Sequence, residues 1–256
     1  GIDTLKANNA RENTAVGASA LAANTSGEFN VSVGAFALDA CTTGSGNVAV
    51  GTGALSAVTE SSNNVGVGNS AGISITTGGR NTCIGEGSGI AGSPSGAITT
   101  SSNIMCLGDD NLGTLFCTQG TINTSDSRDK TDVNNFTGGL AWINKMNPVT
   151  YKWDRRSWYA GDEPESKDIL AATPDGSKKS SKVEIGLIAQ DVLDIEKDNG
   201  YGANNDNSLL VNLTEDETRY GINYTSIIPI LISSIKELSA TVTDLKTRIE
   251  TLEGGE

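Results

Sequence analysis

Ser125-Asp126-Ser127-Arg128-Asp129-Lys130 brings hydroxyls, carboxylates and cations together within six residues. Taken alone, Ser-Asp ahead of a charged run is a helix N-cap or an Asx turn. The chemistry open to this stretch is bounded by the composition. The chain has no His, so a Ser-His-Asp triad cannot be built from it. The four Cys (Cys41, Cys83, Cys106 and Cys117) show no CxxC spacing, and without His they make a poor zinc set. They read as reduced thiols serving as small apolar residues. The Asp- and Asn-rich turns after residue 199 lack the twelve-residue EF-hand spacing. No metal and no cofactor are expected.

The same stretch divides two compositions. Residues 1–124 hold three of the 18 basic and eight of the 31 acidic side chains, and are dominated by Gly, Ala, Ser, Thr and Asn. All three Trp lie after residue 124. The net charge is −13 and neither half is basic, so binding to a phosphate backbone is a poor fit and no nucleic-acid partner is expected. No apolar run reaches the ~20 residues that span a bilayer, and no signal peptide is seen, so no membrane insertion is expected.

The first half is periodic. Asn13-Thr14-Ala15-Val16-Gly17 recurs from Asn30, Asn47, Asn64 and Asn81, each 17 residues on. Leu21, Leu38 and Leu55 follow four residues after the first three Gly, and a Thr recurs at 25, 42, 59 and 76. A last, irregular copy reads Asn103-Ile104-Met105-Cys106-Leu107-Gly108, after an insertion of about five residues. Within each copy, β-branched residues flank a small one. That alternation predicts a three-residue strand with one buried face, followed by a glycine corner. Seventeen residues cannot make a core alone, but stacked copies share one, which is the logic of a solenoid. Asn at one fixed place per coil predicts a side-chain ladder. Leu gives way to Gly72 and Gly89, so later coils should pack differently, against neighbouring chains. Phe29, Phe36 and Phe116 read as packing residues. Thr once per coil falls short of the flat paired array an ice-binding face needs, and no aromatic cluster marks a sugar site.

The second half reads as an α+β body. A short helix is expected over 138–145, strands over 149–153 and 183–188, and a helix from Ala189. Two further strands are expected over 209–213 and 220–224, and a polar excursion over 155–182. Ile228, Ile235, Val242 and Ile249 are seven apart, and Leu231, Leu238, Leu245 and Leu252 fall three after each. This is a four-heptad a/d seam. β-branched a with Leu d suits two strands by itself. Ile227, Ile232, Ser234, Ser239 and Thr241 widen the stripe at e and g, which favours three.

Four motifs in order carry a resemblance. Ser125-Asp-x-Arg-x-Lys130 comes first, followed by Pro148-Val-x-Tyr151-x-Trp153. Gly186-Leu-Ile-Ala-Gln-Asp-Val192 and Tyr224-x-x-Ile-x-Pro229 complete the set. Together they resemble the intramolecular chaperone domain of phage endosialidase tail spikes, a self-cleaving domain also found in other tail fibres and in myelin regulatory factor. The repeats before it resemble the heads of trimeric autotransporter adhesins and the shafts of tail fibres, which implies a β-roll or interwoven β-helix. By this resemblance Ser125 is the nucleophile, Lys130 its basic partner and Thr124–Ser125 the scissile bond. A Ser-Lys dyad needs a Lys made neutral by burial or by positive neighbours. Asp126 and Arg128 are expected to pair structurally, with Lys130 turned away from the carboxylates. Gln190 is a supporting, mainly structural residue.

The expected architecture is a homotrimer with a β-solenoid over 1–120, a self-cleaving chaperone body over 121–222 and a coiled-coil helix over 223–256. The resemblance implies the C-terminal part of a virion tail fibre, assembled in the host cytoplasm, with a host-surface receptor or glycan met through the fibre. Attack within a chain and attack between chains are both open. So is a plainer alternative, an adhesive fibre with a permanent, uncut trimerisation cap.

Overall fold

The computed structural model describes residues 1–112, 115, 125–161 and 165–254. Thr124, Phe116, Cys117 and the strand expected over 120–124 lie outside the described residues. The chain forms two compact units. The first comprises Gly1–Leu115 together with Trp153–Ser180 and Leu213–Arg219; the second holds Phe116–Lys152, Ser181–Asn212 and Tyr220–Glu256.

The first unit is built on a parallel β-solenoid. Strands β1 (Thr14–Val16), β2 (Val31–Val33), β3 (Val48–Val50), β4 (Val65–Val67), β5 (Thr82–Ile84) and β6 (Met105–Leu107) form one sheet in sequence order. The partners Val31↔Val48 and Val48↔Val65 repeat the 17-residue step. The small middle residue of each strand faces inward: Ser32, Ala49, Cys83 and Cys106 are buried. The coil interior has no room for more. A Cβ on Gly66 would stand 2.8 Å from Leu55 Cγ. The flanking Val and Ile residues therefore face outward, and Val16, Val50, Val67 and Ile84 form an exposed apolar stripe.

Two core columns exchange volume along the stack. Leu21, Leu38 and Leu55 are fully buried, and the same place is then taken by Gly72 and Gly89. The neighbouring column grows in the opposite sense, from Asn24 and Cys41 to Val58, Ile75 and Ile98, all buried. A Cβ on Gly72 would approach Leu55 Cδ2 to 2.7 Å and Ile75 Cδ1 to 3.1 Å. The later coils do pack differently, with Ile75 and Ile98 filling the space from within the chain. The place is also left-handed throughout: Leu38 has φ +49° and Gly72 φ +65°. A branched side chain is strained there and glycine is not. Phe29 and Phe36 depart from their expected packing role. Both sit at left-handed corners with more than half their surface exposed.

The expected ladder is present. Asn47 N donates to Asn30 Oδ1, and Asn64 N to Asn47 Oδ1, each at 2.9 Å. Asn47 Nδ2 also donates to Ser61 O at 2.9 Å. The last rung corrects the alignment of the irregular copy. Thr82 pairs with Met105, a step of 23 residues, and Ile104 N donates to Asn81 Oδ1. Ile104, not Asn103, occupies the ladder position, and the insertion is six residues. Keeping Cys106 inward opposite Cys83 requires that register. Burial pushes the Cys41 thiol up to about 11 and that of Cys83 to about 12, where Cys106 adds to the effect. Replacing Asn47 by Ala strands the buried Asn64 N–H and leaves the half-buried Ser61 C=O without this donor. Each orphaned group costs about 1–3 kcal/mol, so thermal unfolding should show Asn47→Ala far less stable than an exposed substitution such as Thr52→Ala.

In the second half of the chain the elements are α1 (Gly139–Lys145), β7 (Val149–Tyr151), α2 (Ser166–Ala171), β8 (Glu184–Gly186), α3 (Ala189–Asp198), β9 (Val211–Leu213), β10 (Tyr220–Ile222) and α4 (Ile227–Glu253). β7 pairs antiparallel with β8, and β9 with β10. The second unit's core gathers Trp142, Val192, Ile195, Leu210, Val211 and Ile230, with the rings of Phe136 and Tyr201 edge-on to Trp142. Buried Glu196 on α3 accepts from Leu209 N and Leu210 N, both at 2.7 Å, which anchors the approach to β9.

α1 packs against α4 through Gly139. A Cβ there would meet Ser234 N at 2.7 Å and Ile230 O at 2.8 Å. Glu237 accepts from Gly139 N and Leu140 N and so caps α1, and the Leu140 bond leads in holding its carboxyl below the usual range. This changes the reading of the seam. Ser234 is buried and Ile227 half-buried within their own unit, so they do not widen the free stripe; exposed Ile232 still does. The a and d residues remain uncovered, from 41% exposed at Leu231 to 79% at Leu252. By length and composition the Tyr224–Glu253 helix could cross a bilayer, against the expectation that no segment could. Its seven-residue spacing suits a coiled coil better.

Candidate self-cleavage site

Asp126 starts the local structure. Its carboxylate accepts from Arg128 N at 2.9 Å and caps a 3-10 turn over Ser127–Asp129. The same carboxylate pairs with the Arg128 guanidinium at 2.6 Å. That side-chain bond, with the backbone bond behind it, holds the Asp126 carboxyl below its ordinary value. The tight turn reverses the chain, and Lys130 leaves it extended. Five residues along, Lys130 Nζ comes back to donate to Ser125 Oγ at 2.6 Å. Among the described residues Lys130 makes no ion pair. The capping role read from Ser-Asp and the Asp126–Arg128 pairing are thus one arrangement, and it delivers an amine to a hydroxyl.

Both members of the pair are exposed in the single chain. A charged amine can hold the hydroxyl but cannot accept its proton. Function as a base requires burial or positive neighbours to favour the neutral amine. Gln190 lies exposed on the first turn of α3, and no hydrogen bond joins it to Ser125 or Lys130 among the described residues.

Residues 125–201 match the family model described as chaperone of endosialidase, a peptidase family. No curated protein and no solved structure shows significant similarity to the chain. The matched segment begins on Ser125 itself and follows a β-solenoid of 17-residue repeats.

Two segments after Ser125 fold as parts of the first unit, onto the last coil of the solenoid. This was hidden in the sequence. The polar excursion expected over 155–182 contains α2, whose Ile169 is buried with Ala91 and Ala97. Asp110, almost fully buried, pairs with Arg155 at 3.2 Å and with Arg219, and accepts from Ser157. The turn between β9 and β10 places Asp216 against Ala97 N at 2.8 Å. Gly96 makes this approach feasible, because a Cβ there would lie 2.3 Å from Asp216 Oδ1. Beside it, Glu215 accepts from Thr99 N, Thr100 N and Ser101 N at 2.8–3.2 Å. Burial opposes a charge on Glu215. The Thr100 and Thr99 hydrogen bonds outweigh it and bring the carboxyl down to about 2. The only sequence trace of this grip is an acidic pair in a hairpin turn, whose partners lie over a hundred residues earlier.

Proposed function

We propose that this chain is a segment of a trimeric phage tail fibre or spike whose chaperone domain aligns three chains, supports folding of the solenoid and is then cut free between Thr124 and Ser125. The observation that carries this reading is the Ser125–Lys130 hydrogen bond at the first residue of the matched domain.

In the reaction, Ser125 Oγ attacks the Thr124 carbonyl carbon while Lys130 takes the hydroxyl proton. The C–N bond breaks, the Ser125 nitrogen gains a proton, and an ester links the two halves. Water then attacks that ester, leaving a Thr124 carboxylate and restoring the Ser125 hydroxyl. Pairing of both groups within one chain supports attack inside the chain. The environment that favours neutral Lys130 comes from assembly, since one chain leaves the pair in water.

Three features support assembly. The heptad seam is bare. An apolar depression of about 360 Å³, lined by Ile143, Met146, Ile185, Leu187 and Tyr224, runs into Leu231 at the head of that seam. The Val/Ile stripe on the solenoid is a second bare apolar face. Long-range β pairing is slow and aggregation-prone, so a template that fixes register addresses a real folding problem. Removing the template afterwards leaves the fibre kinetically trapped. A host-surface receptor or glycan would be met through the fibre, within the virion.

A permanent cap is favoured by one observation, the dense bonding of Asp110, Glu215 and Asp216 between the solenoid and the later segments. Intact-mass measurement on the folded protein separates the two. Fragments that end at Thr124 and begin at Ser125 are expected; a folded protein that stays full-length establishes the cap.

A further inference from the structure

The Thr-rich corners at Thr25, Thr42 and Thr76 use their backbone N–H groups in one way. Thr25 N and Ser26 N donate to Thr42 O, Thr42 N and Thr43 N to Thr59 O, and Thr76 N, Thr77 N and Gly78 N to Thr99 O. Each of these three corners thus closes on a carbonyl of the next coil. Among the described residues this corner has no successor after Thr99. Its Thr99, Thr100 and Ser101 N–H groups converge instead on the Glu215 carboxylate, joined by the hydroxyls of Thr99 at 2.7 Å and Thr100. A side-chain carboxylate stands where the next carbonyl would be, held by five donors.

We infer that Thr99-Thr100-Ser101 is a carboxylate-binding site, held by Glu215 in the uncut protein and opened to an external carboxylate-bearing ligand when the chaperone leaves. Convergent main-chain donors form an anion cradle whatever supplies the anion. The two hydroxyls add charge-assisted bonds, the stronger kind. Occupancy by Glu215 keeps these donors satisfied during folding. Its departure would leave them unpaired at the end of the mature solenoid, in a place fixed by the coil beneath. The opening step rests on the release reading above; the site's chemistry does not.

The test uses the full chain. In Glu215→Ala, acetate is expected to give saturable shifts of the Thr99, Thr100 and Ser101 amide signals that chloride at equal ionic strength does not, with no response in the uncut Ser125→Ala chain, where Glu215 keeps its place. Adding Thr100→Val should weaken acetate binding about tenfold, the scale of one charge-assisted hydrogen bond. Should Glu215→Ala fail to fold, Glu215→Gln keeps the turn and weakens the internal occupant, and should show the same shifts at higher acetate. Absence of acetate-specific shifts in whichever variant folds overturns the site. A protein that stays full-length yet shows these shifts overturns only the opening by release, because the variant arm needs no cleavage.

Discussion

Ser125→Ala and Lys130→Ala chains should assemble normally and remain uncut. On a denaturing gel each is expected to give one full-length band, and the parent, if it is cut as proposed, two fragments. The expected loss is at least ~10²-fold in cleavage rate, because Ser125→Ala removes the attacking atom and Lys130→Ala removes proton transfer worth about 10²–10⁴-fold. Lys130→Arg should fail as well. Its guanidinium can hold the Ser125 oxygen but stays charged at any accessible pH. The structure adds a sharper arm. Lys130 reaches the serine of its own chain, so co-expressing Ser125→Ala with Lys130→Ala should give no cut material. Cleavage in the mixed protein would mean that the amine acts across chains. Normal cleavage in either single variant would remove the dyad altogether. Asp126→Ala should slow the reaction without abolishing it, because it loosens the turn that returns Lys130 to Ser125 rather than touching the reacting atoms.

The second large effect is expected in α4. Leu238→Asp should prevent the proposed trimer from forming, read as monomer mass in sedimentation, and much of the protein should be lost to aggregates. Leu238 and Leu245 lie in the middle of the seam, and each is about half exposed in the single chain. Association would bury three copies of each. Full burial of a Leu is worth about 1.5–3 kcal/mol, and a buried unpaired carboxylate costs several more. Ser239→Asp places the same charge beside the seam and should be tolerated. If Leu238→Asp still yields trimers that are cut, the coil does not set the oligomer, and the Val16–Ile84 stripe carries assembly instead.

The parts of this fold governed by local repetition were legible in the residues. Asn at a 17-residue step gave the ladder, and the alternation over Val48-Ala49-Val50 gave strands in their observed places. The heptad spacing marked a helix that runs from Ile227 to Glu253. Ser-Asp-x-Arg-x-Lys identified the residues that the turn draws together, since the capping and reversal act within six positions. What the sequence concealed depends on distant partners. Ile75 compensating for Gly72 needs the coil's cross-section, because neither residue type alone says which column is wide. Burial of Ser234 and Ile227 against α1 needs the tertiary contact through Gly139. The hold of Asp110 and Glu215 on their partners joins residues more than a hundred positions apart, with no periodicity to announce it.

The single 23-residue step between β5 and β6 has a consequence for how copies align. A stack of 17-residue coils has near-translational symmetry along its axis. Slide one such stack past another by one coil, about 4.8 Å, and almost every internal contact is replaced by an equivalent one. Uniform coils therefore measure distance but not origin, like a scale without a zero mark. The six-residue insertion breaks that degeneracy once, in the coil that also carries Thr99. A chain displaced by one coil would set an ordinary turn against its neighbour's odd one. The irregular repeat is thus an index mark for the stack, and trimming its six extra residues should produce assemblies with ragged ends rather than unfolded chains.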